Sequence, residues 1–191
     1  ASNSKVLRAG EDVWTNWLKS EPVSFSQMPM PSFEAIFHAL PKFQPRQLAA
    51  PETPAIAEEV QWGVARVNAP KAWPTNQGAG VKVAVVDTGI DPTHQELKVA
   101  GGYNAINKGS SWADDHSHGT HVAGIIAASL NNAGVVGVAP KATLYAVKVL
   151  TKDGGGSLFS IMDGINWCAK NGIQVLNMSL GAPQAMPLLQ Y

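Results

Sequence analysis

Two short islands hold the side chains best suited to chemistry. In the first, Val85-Val86-Asp87-Thr88-Gly89-Ile90-Asp91, a carboxylate closes an apolar run. In the second, His116-Ser117-His118-Gly119-Thr120-His121-Val122-Ala123-Gly124, a histidine opens a stretch rich in small residues. Carboxylate and imidazole are groups that hold and move protons. Each island alone has a plainer explanation. An aspartate two residues before a glycine is a turn former, and a lone histidine is more often structural than catalytic.

The surrounding pattern says which elements must carry the islands. Val81–Asp87 is a continuous apolar run closed by Asp87, as buried parallel strands usually are, so Asp87 falls at a strand's carboxyl end. In open α/β sheets that end is where ligands and chemistry gather. A helix is expected from about His118 to Leu130, and a strand over Thr143–Leu150. Ser157 caps a further helix whose face holds Leu158, Ile161, Met162, Ile165 and Cys168, and Gly172 ends it. Gln174–Ser179 reads as another strand. Strands alternating with helices predict an α/β domain with a mostly parallel sheet.

The first 60 residues are different. They contain one glycine, Gly10, and seven prolines, whereas 17 glycines and six prolines follow from Gly63 onward. Two short amphipathic helices are expected there. One has Val13, Trp14, Trp17 and Leu18 on a single face. The other has Phe33, Ile36, Phe37 and Leu40, with Ser32 as its cap and Pro41 as its stop. Pro45–Pro54 reads as a linker. Residues 1–57 are therefore expected to form an extension, an arm or prosegment remnant, and residues 58–191 the main domain.

Composition narrows the partners. The 14 basic and 14 acidic side chains cancel, which gives no electrostatic reason to expect nucleic acid or an anionic membrane surface. No apolar run approaches membrane-spanning length. The N-terminal residues lack the apolar centre of a signal peptide, so either one was removed or there was none. Cys168 is the only cysteine and no intrachain disulfide can form. That suits the cytoplasm and also secreted bacterial enzymes without disulfides.

Taken together, the islands resemble the subtilase family of serine proteases. Asp87-Thr88-Gly89 matches the motif around that family's catalytic aspartate, and His118-Gly119-Thr120-His121-Val122-Ala123-Gly124 the motif around its catalytic histidine. Gly137-Val138-Ala139-Pro140, Leu144–Leu150 and Asn177-Met178-Ser179-Leu180-Gly181 continue the likeness in order, and Trp62-Gly63 is similar to the start of the mature domain. The resemblance covers residues 58–191. It implies a three-layer α/β domain with a mostly parallel sheet, here cut short on its C-terminal side.

The same resemblance implies peptide-bond hydrolysis through an Asp-His-Ser triad. His118 would be the general base and then the general acid, and Asp87 the carboxylate that orients it. An imidazolium at a helix N-terminus faces an unfavourable dipole, which the Asp87 charge offsets. His121, one turn on, would be either a packing residue or a support for the pair, and not a member of it. Gly154, Gly155 and Gly156 would pair with an extended peptide or protein substrate, Ser179, Leu180 and Gly181 would form the opposite wall, and Leu158 and Ile161 would line an apolar subsite. Glu58, Glu96, Leu130 and Asn132 stand where many family members bind calcium, although the loop from Leu130 to Gly137 is one residue short of the usual one.

Two departures accompany the likeness. The sequence ends at Tyr191, before the family's oxyanion asparagine and the motif around its serine, and Ser179 belongs to the groove wall. Residues 1–57 do not match the usual prosegment. The expectation is a chain that is inactive by itself and is completed by a second polypeptide carrying the C-terminal part with the serine. Secretion is the expected localisation. Two other function classes remain open. One is a non-catalytic subtilase fragment or binding pseudo-enzyme. The other is a metallo-β-lactamase-like hydrolase, because His116, His118 and His121 partly mimic a zinc motif.

Overall fold

A computed structural model describes residues 14–16, 18 and 58–181. Its elements in chain order are β1 (Trp14–Asn16), α1 (Trp62–Arg66), α2 (Ala69–Ala72), β2 (Lys82–Asp87), β3 (Val99–Asn104), α3 (His118–Ala127), β4 (Thr143–Lys148), β5 (Gly155–Ser157), α4 (Leu158–Lys170) and β6 (Val175–Asn177). Four strands form one sheet in the order β3-β4-β2-β6. All of its pairings are parallel, with Asp87 opposite Lys148 at the carboxyl ends of β2 and β4.

Alternation along β2 builds the layers. Val83 and Val85 point to one face, where they pack with Ala123 and Ala127 of α3 and with Leu144 and Ala146 of β4. Ala84 and Val86 point to the other, packing with Val147, Val149 and with Leu158, Ile161 and Cys168 of α4. A helix thus covers each face, which is the three-layer arrangement expected. Because both faces are covered, β2 has no polar side, and Ala84, Val85 and Val86 are fully buried. Burial also pushes the Cys168 thiol up to about 11, so it serves as packing.

The helix from Ser157 forms as its cap predicts. Ser157 is extended, and its hydroxyl accepts from the Ser160 amide at 3.0 Å. Helix α3 stops at Ala127, three residues earlier than expected, where the chain turns to pair the Ser129 amide with the Glu96 carbonyl.

One expectation is overturned. The helix proposed for Val13, Trp14, Trp17 and Leu18 is not formed, since Trp14–Asn16 is a strand. It pairs antiparallel with β5, placing Trp14 opposite Ser157, Thr15 opposite Gly156 and Asn16 opposite Gly155. A helical spacing of apolar residues is a weak preference, and an available strand edge overrides it. The second helix, over 32–41, and the linker lie outside the described residues.

Candidate active site

Asp87 ends β2 and His118 begins α3, so the strand end and the helix start deliver the two side chains to one place. His118 Nδ1 lies 2.9 Å from each carboxylate oxygen of Asp87. Asp87 is fully buried, while the His118 side chain keeps 34% of its surface exposed. The Thr88 amide donates to Asp87 Oδ1 at 2.7 Å, fixing the carboxylate plane. A buried carboxylate that holds Nδ1 selects the imidazole tautomer whose Nε2 accepts a proton. The arrangement can therefore take a proton from a hydroxyl placed on the exposed side of His118.

The close approach of helix to strand end depends on Gly119. A Cβ there would lie 3.2 Å from Asp87 Cβ and closer still to the Gly89 carbonyl oxygen. Asp114, just ahead of the helix, accepts from the Thr88 and Thr120 hydroxyls and from three amides. Partial burial pushes its carboxyl up, but the bonds from Thr120, His116 and Thr88 outweigh this and hold it down at about 2. The sequence offered no signal for Asp114, because loop acceptors follow no period. His121 is not packed behind the pair; it is exposed on the next turn of the helix.

The residues expected along the groove divide into three groups. Gly155 and Gly156 belong to β5, preceded by Gly154 in the left-handed region at φ 73°, and the backbone that β5 offers is already paired with Trp14–Asn16. Leu158 and Ile161 are buried in the core on the α4 side, where Leu18 and Leu180 pack against the same cluster. Ser179 and Gly181 are exposed, and the Ser179 hydroxyl accepts from Asn177 Nδ2 at 2.8 Å.

Glu58 and Glu96, distant in sequence, converge on one loop. Glu58 Oε1 accepts from the Asn131 amide at 2.8 Å and Glu96 Oε2 from Asn131 Nδ2 at 3.0 Å. Asn131, rather than Asn132, gathers the two carboxylates. Asn132 has φ 68°, a left-handed turn that reverses the loop beside them. The set is all oxygen and acidic, which suits a hard cation. Two carboxylates fall short of the six to eight ligands calcium takes, so main-chain oxygens such as that of Leu130 would have to contribute. Among the described residues no three His, Cys, Asp or Glu side chains group as a metal site.

Comparison with known proteins agrees with this geometry. The family model for subtilases matches residues 78–187. Subtilisin BL of Lederbergia lenta is 50% identical over 135 residues, which cover 70% of this chain and 50% of that protein. An alkaline protease of Alkalihalobacillus alcalophilus is 49% identical over 140 residues, 73% of this chain and 37% of that protein. The minor extracellular protease Epr of Bacillus subtilis (strain 168) is 45% identical over 130 residues. The chain thus spans half or less of the length of these relatives. A parallel sheet with helices on both faces, an aspartate at a strand end bonded to a histidine at a helix start, and a family match over more than half of the sequence lead to one conclusion: the chain belongs to the subtilase family of serine proteases.

Proposed function

We propose that the chain supplies the base and its orienting carboxylate to a subtilisin-type serine endopeptidase. The contact of His118 Nδ1 with both oxygens of a fully buried Asp87 carries this assignment. Nε2 takes the proton of a serine hydroxyl as that oxygen attacks the scissile carbonyl, then returns it to the leaving amine. Water repeats the sequence to release the acyl group. Asp87 stays ionised throughout and stabilises the imidazolium.

The serine and the oxyanion donors come, in this proposal, from sequence outside these 191 residues, the C-terminal portion of a subtilase domain. Two features favour such a partner. Among the described residues β6 pairs only with β2, and Ile125, Val138 and Val175 near that edge are 44%, 40% and 47% exposed. An open strand edge beside apolar surface is stabilised by a covering segment. The substrate is an extended peptide running between Gly154–Gly156 and Ser179–Gly181, with Leu158 and Ile161 beneath an apolar subsite. Glu58 and Glu96, with oxygens of Leu130 and Asn132, hold a calcium ion that ties the loop to the rest of the domain. The protein acts outside the cell, as the name of one relative states for that protein.

The test combines the purified chain with the C-terminal portion and follows hydrolysis of a peptide. Activity is expected only from the combination. Asp87→Ala and His118→Ala should each lower it by on the order of 10⁴ or more, the scale known for a subtilisin triad. Reconstituted activity indifferent to both substitutions would refute the assignment.

A further inference from the structure

The Asp87–His118 contact joins two elements whose contacting residues are 31 apart in sequence. A single hydrogen bond to a partly exposed imidazole is too weak to set that spacing, since its net worth is about 1 kcal/mol. A second set of bonds spans the same gap. Asp114 Oδ1 accepts from Thr88 Oγ1 at 2.8 Å and from the amides of His116 and Ser117 at 2.9 and 3.0 Å. Its Oδ2 accepts from Thr120 Oγ1 at 2.6 Å and the Thr120 amide at 3.0 Å. Thr88 Oγ1 in turn accepts from the Gly119 amide at 3.0 Å.

His118 is therefore enclosed. Residues 116, 117, 119 and 120 are all tied to Thr88 or Asp114, and Thr88 directly follows Asp87. The enclosure also holds Ser117 at φ 88°, a conformation a non-glycine residue adopts only when its surroundings impose it. On the other side of Thr88, Lys148 Nζ donates to the Thr88 carbonyl at 2.6 Å, to the Leu150 carbonyl at 2.9 Å and to Asp115 Oδ1 at 2.6 Å. Thr88 is thus gripped through its hydroxyl and its main chain at once.

We propose that Asp114, acting through the Thr88 hydroxyl, is a positioning residue that sets His118 against Asp87. This rests on the assignment of that pair as catalytic. Asp114 touches neither member of the pair through its side chain; it acts by fixing the strand end and the helix start to one another. Five donors converge on its two oxygens, which only a carboxylate can satisfy. An asparagine has one oxygen and presents an NH₂ where donors already point.

A plain helix cap would make the same amide bonds, so the test must isolate the Thr88 bridge. The full chain, labelled with ¹⁵N-histidine, is observed by NMR for the low-field proton of a histidine Nδ1–H bonded to a carboxylate. Asp87→Asn identifies that resonance by abolishing it. Asp114→Asn and Thr88→Val are each expected to abolish it while methyl dispersion shows the sheet intact. Thr88→Ser, which restores the hydroxyl, should retain it. If one variant unfolds, the one that stays folded decides. Retention of the resonance in a folded Asp114→Asn or Thr88→Val chain, its loss in Thr88→Ser, or unfolding of both overturns the positioning role alone. A resonance absent from the unsubstituted chain, or indifferent to Asp87→Asn, overturns the pair itself and the positioning with it.

Discussion

Helix α3 contains two glycines, and the structure predicts opposite responses to adding a methyl group. In a helix interior alanine is favoured over glycine by about 0.8–1.0 kcal/mol. At Gly124 an added Cβ meets nothing within 4 Å, so Gly124→Ala should realise most of that gain. At Gly119 the Cβ would stand 3.2 Å from both Asp87 Cβ and the Gly89 carbonyl carbon, with the Gly89 oxygen nearer. Two of these atoms are backbone in the turn that ends β2, and that turn cannot swing away as a long side chain can. Overpacking costs about 1–3 kcal/mol, and a rigid obstacle puts this site toward the upper end. After subtracting the helix gain, Gly119→Ala should destabilise by roughly 1–2 kcal/mol. For a chain of this length each kcal/mol moves Tm by about 2–4 °C. Thermal unfolding followed by circular dichroism should therefore place Gly119→Ala about 2–8 °C below the parent and Gly124→Ala up to about 4 °C above it. Two glycines that respond alike, or a stabilised Gly119→Ala, would refute the claim that this contact spaces helix and strand.

Two further outcomes concern neighbouring groups. Ser157→Ala removes the hydroxyl that accepts from Ser160 and should cost about 1 kcal/mol, read as a lower urea midpoint with unchanged m. Asp114 is held near 2 from an ordinary 3.8, so its contribution is fully present above pH 3.8 and disappears as pH falls through about 2. Because the site is half-buried, the amount is roughly 1–2 kcal/mol. The stability gap between the parent and Asp114→Asn should accordingly narrow from pH 5 to pH 2, and a gap independent of pH would contradict the hydrogen-bond account.

What could be read in advance depended on how local the determinants were. The Val83–Val86 stretch encodes its burial on both faces by being apolar at four successive positions, and Ser157 encodes its helix start by one hydroxyl, so both were legible. The Asp87 and His118 islands were legible because each motif is contiguous. Strand β3 was not, for Val99-Ala-Gly-Gly-Tyr-Asn lacks any alternation. Its Gly102 is there because a Cβ would lie 2.7 Å from the Trp112 ring. Strand β1 was misread because its state is decided by β5, some 140 residues away. The network around Asp114 joins loop residues to a strand end, and Lys148 is a buried charge in an otherwise apolar strand. Neither leaves a periodic trace, since their partners are chosen by the fold.

The antiparallel pairing of Trp14–Asn16 with Gly155–Ser157 makes the chain a competitor for its own edge. A tethered competitor differs from a dissolved one in that dilution does not remove it, and covalent attachment can hold a segment at an effective concentration on the order of mM. Any peptide that uses the same hydrogen-bonding edge must wait for those three residues to leave. Its apparent dissociation constant is then the intrinsic one divided by the fraction of chains whose edge is vacant. If substrate uses this edge as proposed, that fraction is the same for every peptide, so the tethered segment lowers all affinities together and leaves their order unchanged.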